Sequence, residues 1–152
     1  MTYTAAEARQ QLLSTIADAT EELSTALAAL GAAYEQLDEH SADRLEEQLF
    51  RPVQVAYGRL RRTHASFAER HALPGREFEP ATPGAPSHGV QGFVDQALEA
   101  VEEADLTLTE LQDSMAPVEV GDAELRAGLA DVRERLGVLP DRSREFLRRL
   151  GR

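Results

Sequence analysis

Four histidines and twenty-seven carboxylates are the groups on this chain best suited to move a proton or ligate a metal. Two of the histidines, His64 and His71, stand one heptad apart on the apolar edge of a helical segment. Seven residues of helix rise about 10.5 Å, too far for both rings to hold one ion. The expected role is therefore a pair of rings at the core margin, bonded to carbonyls or to acids of neighbouring helices. His88 follows Ser87 at the expected start of another helix, where Ser87 reads as an N-cap; adjacent side chains diverge, and no GxSxG elbow surrounds the serine. A carboxylate-bridged di-iron centre needs Glu-x-x-His on two helices, and no Glu here has a His at that spacing. No metal ligand set and no cofactor are expected. Glu99, Glu102, Glu103 and Glu110 lie off the apolar seam of their helix, so they read as a solvated face turned toward arginines rather than as general acids and bases.

Other residue types close further chemistries. The 152-residue chain has no cysteine, which excludes disulfides and thiolate catalysis, and all sixteen of its basic residues are arginine. Without lysine there can be no Schiff base, no pyridoxal phosphate attachment and no P-loop lysine. Arg59, Arg61, Arg62 and Arg70, with Arg142, Arg144, Arg148, Arg149 and Arg152, could form an anion-binding surface. The formal net charge of −11 and an aromatic content of 5% weigh against a nucleic-acid partner. The N-terminus lacks the basic start and apolar run of a signal peptide, and no stretch approaches the roughly 18 apolar residues of a membrane span. A cytoplasmic protein without membrane contact is the expectation.

The elements that must carry these residues are helices. Steps of four and three residues run through Leu12, Ile16, Ala19, Leu23, Ala26, Leu30, Ala33 and Leu37, then through Val90, Val94, Ala97, Val101, Ala104, Leu108, Leu111 and Met115. A third seam runs Leu125, Leu129, Val132, Leu136, Leu139, Ser143, Phe146 and Leu150. This spacing predicts left-handed helix packing, since a sheet would need a period of two. One domain is expected, with helices at about 4–38, 42–72, 88–116 and 122–150 and a Pro/Gly-rich linker at 73–87. Thr4 with Glu7 forms a capping box, while Ser41 and Asp122 are the expected caps of the second and fourth helices. Pro52, where the spacing of the second apolar face slips, should kink that helix or start a new one, and Gly137 to Pro140 should kink the fourth without reversing it. Pro52-Val-Gln-Val and Pro117-Val-Glu-Val suggest a faint duplication, to be supported if Pro52 starts a helix.

Charge then predicts the arrangement. Residues 1–50 carry ten acids and two arginines, 51–76 six arginines and one acid, 77–125 twelve acids and no base, and 126–152 eight arginines and four acids. In an antiparallel up-down-up-down four-helix bundle every neighbouring pair would then be of opposite sign. Exposed ion pairs contribute only about 0–1 kcal/mol each, so their expected use is to exclude wrong arrangements.

No catalytic constellation emerges, and a non-enzymatic protein is expected to act through a protein partner or through self-association. Leu13, Ala17, Leu27 and Tyr34 widen the apolar surface of the first helix beyond its seam, which predicts a homodimer face. The alternative is a bundle that holds a small apolar ligand or a metal ion between its helices, with His64, His71 and Tyr34 as the pocket residues. A kinked second helix bringing His64 near Tyr34 and a first-helix acid is the only enzymatic arrangement left open.

Overall fold

The structure, a computed structural model, describes residues 4–84 and 89–150. The described residues are all-α, with no strand. Helix α1 (Ala5–Glu35) starts at the expected capping box, Thr4 Oγ1 accepting from Glu7 N at 3.1 Å and Glu7 accepting from Thr4 N at 3.2 Å. After a short reversal, α2 (Glu39–Leu45) is capped by Asp38, whose carboxylate accepts from Ser41 N at 2.8 Å. The cap is therefore Asp38 and not Ser41: the carboxylate reaches the third amide, where Ser41 itself sits.

A π-helical turn, Glu46–Phe50, joins α2 to α3 (Arg51–Arg70) without leaving helical backbone, and Arg51 N–H reaches five residues back to Glu46 O. This wide turn absorbs the slip in apolar spacing. Leu45, Leu49 and Val53, two four-residue steps in succession, are all buried together with Ala56 and Leu60. Pro52, which has no N–H to offer the ladder, follows directly. It stands at the second position of α3, as Pro117 does of the helix Ala116–Val120, although helical backbone runs unbroken into α3 from α2.

Helix α4 (Gly89–Asp113) carries the second seam, but it stops short of Met115, which adopts a positive φ of 64° and is 51% exposed. A five-residue helix, α5 (Ala116–Val120), occupies the break, and Gly121 with φ of +76° turns the chain into α6 (Ala123–Leu136). Asp122 caps α6 as expected, accepting from Leu125 N at 2.9 Å. Gly137 and Val138 separate α6 from α7 (Leu139–Leu150), whose Leu139, Ser143 and Phe146 stay buried in phase with Leu136. Ser87 and His88 lie outside the described residues.

Pairings fix the directions. Asp122 meets Arg70, Asp131 meets Arg59, and Phe146 meets Arg44, so α6 and α7 run together, antiparallel to α2 and α3. The Gly137 region thus bends the chain without reversing it. Tyr34 and Glu35 share a cleft with Glu46 and Phe50, as expected for an antiparallel α1 and α2–α3. Gln36 lies beside Gly89 and Leu12 lines one groove with Leu111, making α1 antiparallel to α4 as well.

Helices α3 and α4 consequently point the same way, which overturns the strict alternation read from the sequence. The linker reconciles them. After α3 it runs back along α1, with Arg76 paired to Glu21 and Ala81 N donating to Ser24 Oγ at 3.0 Å, before Gly84 reaches Gln96 of α4.

The charge rule fails for the same reason. The most extensive helix contact joins α1 to α4, the two acidic helices, whereas the next joins α3 to α6, which carries three acids and three arginines and receives Arg59 on Asp131 and Arg70 on Glu124. Alanine explains the first contact. Ala19, Ala26 and Ala33 on α1 and Ala97 and Ala104 on α4 are at most 3% exposed, and such small side chains let two backbones approach closely. Burying that seam outweighs the weak, screened repulsion between exposed carboxylates.

Candidate functional site

The five residues singled out from the sequence have different surroundings. Leu13 is 2% exposed and Ala17 3%, both inside the core, and Leu27 is half-buried against it. The wide apolar face of α1 is therefore used within the chain, since α1 packs against α4, α3 and α5 and carries the linker on Ser24. That overturns the reason given for a dimer face. Tyr34 alone stays exposed, at 41%, beside a shallow cleft of about 250 Å³ formed with Gly31, Glu35, Glu46 and Phe50.

His71 belongs to an ionic knot at the end of α3. Its Nε2 lies 2.9 Å from Asp122 Oδ2, while Arg70 donates Nε to Oδ2 at 3.0 Å and Nη2 to Oδ1 at 2.7 Å. Burial alone pushes the Asp122 carboxyl up, but the Leu125 amide, His71 and Arg70 together hold it below the usual carboxylate range. The arrangement satisfies every lone pair of one carboxylate and closes α3 against α6; it aims no atom at a substrate. Asp122 was read from the sequence as a cap, and the Arg70-His71 pair that completes the knot carries no spacing signal toward it.

His64, one heptad earlier, is 2% exposed, and its Nδ1 has no hydrogen-bond partner among the described residues. Burial pushes the ring's pKa below the ordinary histidine value. The Phe78 ring from the linker packs perpendicular to it, centroids 5.1 Å apart, and the Arg76 guanidinium lies over Phe78 at 5.0 Å. Tyr34 sits far along α1, beside the π turn, so no His64-Tyr34 arrangement forms. Beside the linker lies a cleft of about 480 Å³, lined by Glu21, Ser24, Thr25, Arg76 and Phe78 among others.

Between the helices there is little room. A space bounded by Leu30, Leu49, Val53, Val94, Val101 and Leu139 amounts to about 10 Å³, the scale of one water. No group of three histidines and carboxylates among the described residues is placed to hold a metal ion.

What remains as a surface feature is the outer side of the α1–α4 pair. Asp18, Glu22, Glu99, Glu102, Glu103 and Glu110 lie there, and none of them forms an ion pair among the described residues. Burial raises the Glu22 pKa above its ordinary value, and Glu103 and Asp18 add to the rise. The arginines expected opposite these acids are spent elsewhere. Arg144 pairs with Asp141, and Arg148 and Arg149 pair with Glu145, all within α7; among the described residues Arg133 alone crosses to α4, where its Nε lies 3.3 Å from Asp105.

No described helix is long and apolar enough to cross a membrane. No protein-family model matches the chain, and no curated protein or solved structure matches it significantly.

Proposed function

We propose that this protein is a non-enzymatic interaction module, a four-helix bundle in up-down-down-up order whose acidic α1–α4 side docks a basic protein surface. The observation that carries the reading is the pairing of the two acidic helices. Like charges set side by side cost stability, and Glu22, Glu99 and Glu103 form no ion pair among the described residues. A partner rich in arginine or lysine would supply the cation, speeding association and setting orientation more than adding raw affinity.

Self-association is a second reading with its own support. Arg51, Arg61 and Arg62 on the α3 side are exposed, so one copy's acidic side could meet another copy's basic side. A metal or apolar ligand between the helices has less behind it, given the 10 Å³ space.

Calorimetric titration with an arginine-rich peptide at physiological salt tests the main reading. Binding that weakens at least tenfold in the E22Q/E99Q/E103Q variant is expected; equal binding by the variant would contradict it. Light-scattering mass of the chain alone separates the second reading, because a strict monomer across micromolar concentrations removes self-association.

A further inference from the structure

The linker from Leu73 to Gly84 is fastened by side chains. Its backbone from Pro74 onward makes no bond to other backbone among the described residues, beyond the Leu73 N–H to Ala68 O contact at its root. Three fastenings hold it down: Phe78 on His64, Ala81 N on Ser24 Oγ, and Arg76 on Glu21. Pro74, Pro80 and Pro83 keep the segment stiff and extended, so it can lift as a unit.

We propose that this linker is a pH-gated strap: neutral His64 lets Phe78 close over α1 and α3, and protonation of His64 releases it, uncovering Ser24 and His64. The geometry supplies the mechanism. A charged imidazolium needs two acceptors, yet Nδ1 is enclosed with none, and the phenyl ring packed perpendicular to it carries no oxygen or nitrogen to accept its proton. Lifting Phe78 admits water to the ring.

The charged groups near the stack do not relieve the cost. On the strap they are Arg76, Glu77 and Glu79, with Arg76 already paired to Glu21 of α1. On the α3–α6 side Asp131 is held by Arg59, and Asp122 by Arg70 and His71. None of these carboxylates bonds His64.

The sign follows from linkage. The closed state holds the pKa below its ordinary value and the open state restores it. Closure is therefore at full strength above the ordinary value of about 6.5 and is lost as pH falls from there toward the depressed value, by at most about tenfold per pH unit. This inference stands whether or not the acidic side binds a partner.

The experiment is amide exchange read by NMR from pH 7.5 to 5.5 on the full chain, with far-UV circular dichroism reporting the helices. The Ala81 amide, bonded to Ser24, is the probe. Its protection, corrected for the intrinsic pH dependence of exchange, is expected to fall by up to about fivefold between pH 6.5 and 5.5. In His64→Leu it is expected to stay flat, and in Phe78→Ala to be low throughout, with His64 titrating at its ordinary value. Flat protection in the parent protein, an equal fall in His64→Leu, or full protection in Phe78→Ala would each overturn the proposal. Should His64→Leu fail to fold, the parent's His64 Cε1–H titration serves instead: it must coincide with the loss of Ala81 protection, and a separation between the two overturns the gate.

Discussion

Gly128 of α6 lies so close to Thr63 of α3 that a Cβ on the glycine would come within van der Waals contact of Thr63 Oγ1 and to 2.9 Å from its Cγ2. Thr63 cannot easily turn away, because it is 4% exposed and donates its hydroxyl to Arg59 O at 2.8 Å. Glycine here sits mid-helix, where alanine would ordinarily be favoured by about 1 kcal/mol. Gly128→Ala is nonetheless expected to destabilise the protein, by about 1–3 kcal/mol of overpacking less that gain. Denaturant unfolding of the single variants and of Gly128→Ala/Thr63→Ala checks this: the double variant should recover most of the loss, and simple additivity would show that the two residues do not touch.

Asp122 does more than cap a helix. Asp122→Ala removes the bond from Leu125 N, takes the acceptor from His71 and leaves Arg70 with Glu124 alone, a loss of about 1.5–3 kcal/mol for hydrogen bonds to a charged group. The pH dependence has a definite sign. Since the folded pKa lies below the ordinary 3.8, the stabilisation is complete above that value and disappears as pH falls through the folded one. Unfolding curves of the parent and Asp122→Asn should therefore differ at pH 7, and the difference should shrink once the pH falls below the ordinary 3.8.

The opposite sign is expected at Glu22. Its folded pKa is raised, so ionisation above the ordinary 4.5 works against the folded state. Glu22→Gln should stabilise the fold at pH 7, read as a raised melting temperature, through relieved burial of the charge and about 0.2–0.5 kcal/mol of relieved like-charge repulsion; the repulsive part should shrink in high salt, and the whole gain should vanish below pH 4. A loss of stability at low salt would mean that Glu22 has a cationic partner in solution.

Leu13 distinguishes an interior role from an interface. At 2% exposure within a single chain, Leu13→Ala should cost about 2–5 kcal/mol in unfolding experiments at any protein concentration. A mild effect that depends on concentration would return this residue to a dimer face.

The seams made the helices legible. Leu12 to Ala33 and Leu125 to Phe146 are buried as their spacing requires, and Thr4-Glu7 and Asp122 cap where their chemistry allows. Packing order was misread because charge is the more visible pattern and the weaker force. The small-residue seam of Ala19, Ala26, Ala97 and Ala104, equally present in the sequence, decides which helices touch. The Pro/Gly-rich composition of 73–84 announced a loop but not its path. That path depends on a single aromatic, Phe78, finding the enclosed ring of His64 across a gap in sequence that no local pattern spans. For the same reason the knot at Asp122 could not be anticipated from Arg70 and His71 alone.

The most direct test of the acidic side as a docking surface is an amide-shift map of the labelled protein titrated with an arginine-rich peptide at physiological salt. Shifts concentrated on Asp18, Glu22, Glu99, Glu103 and Glu110, and lost in E22Q/E99Q/E103Q, are the expected result. Shifts scattered over α3, α6 and α7, or an unchanged map in the variant, would contradict it.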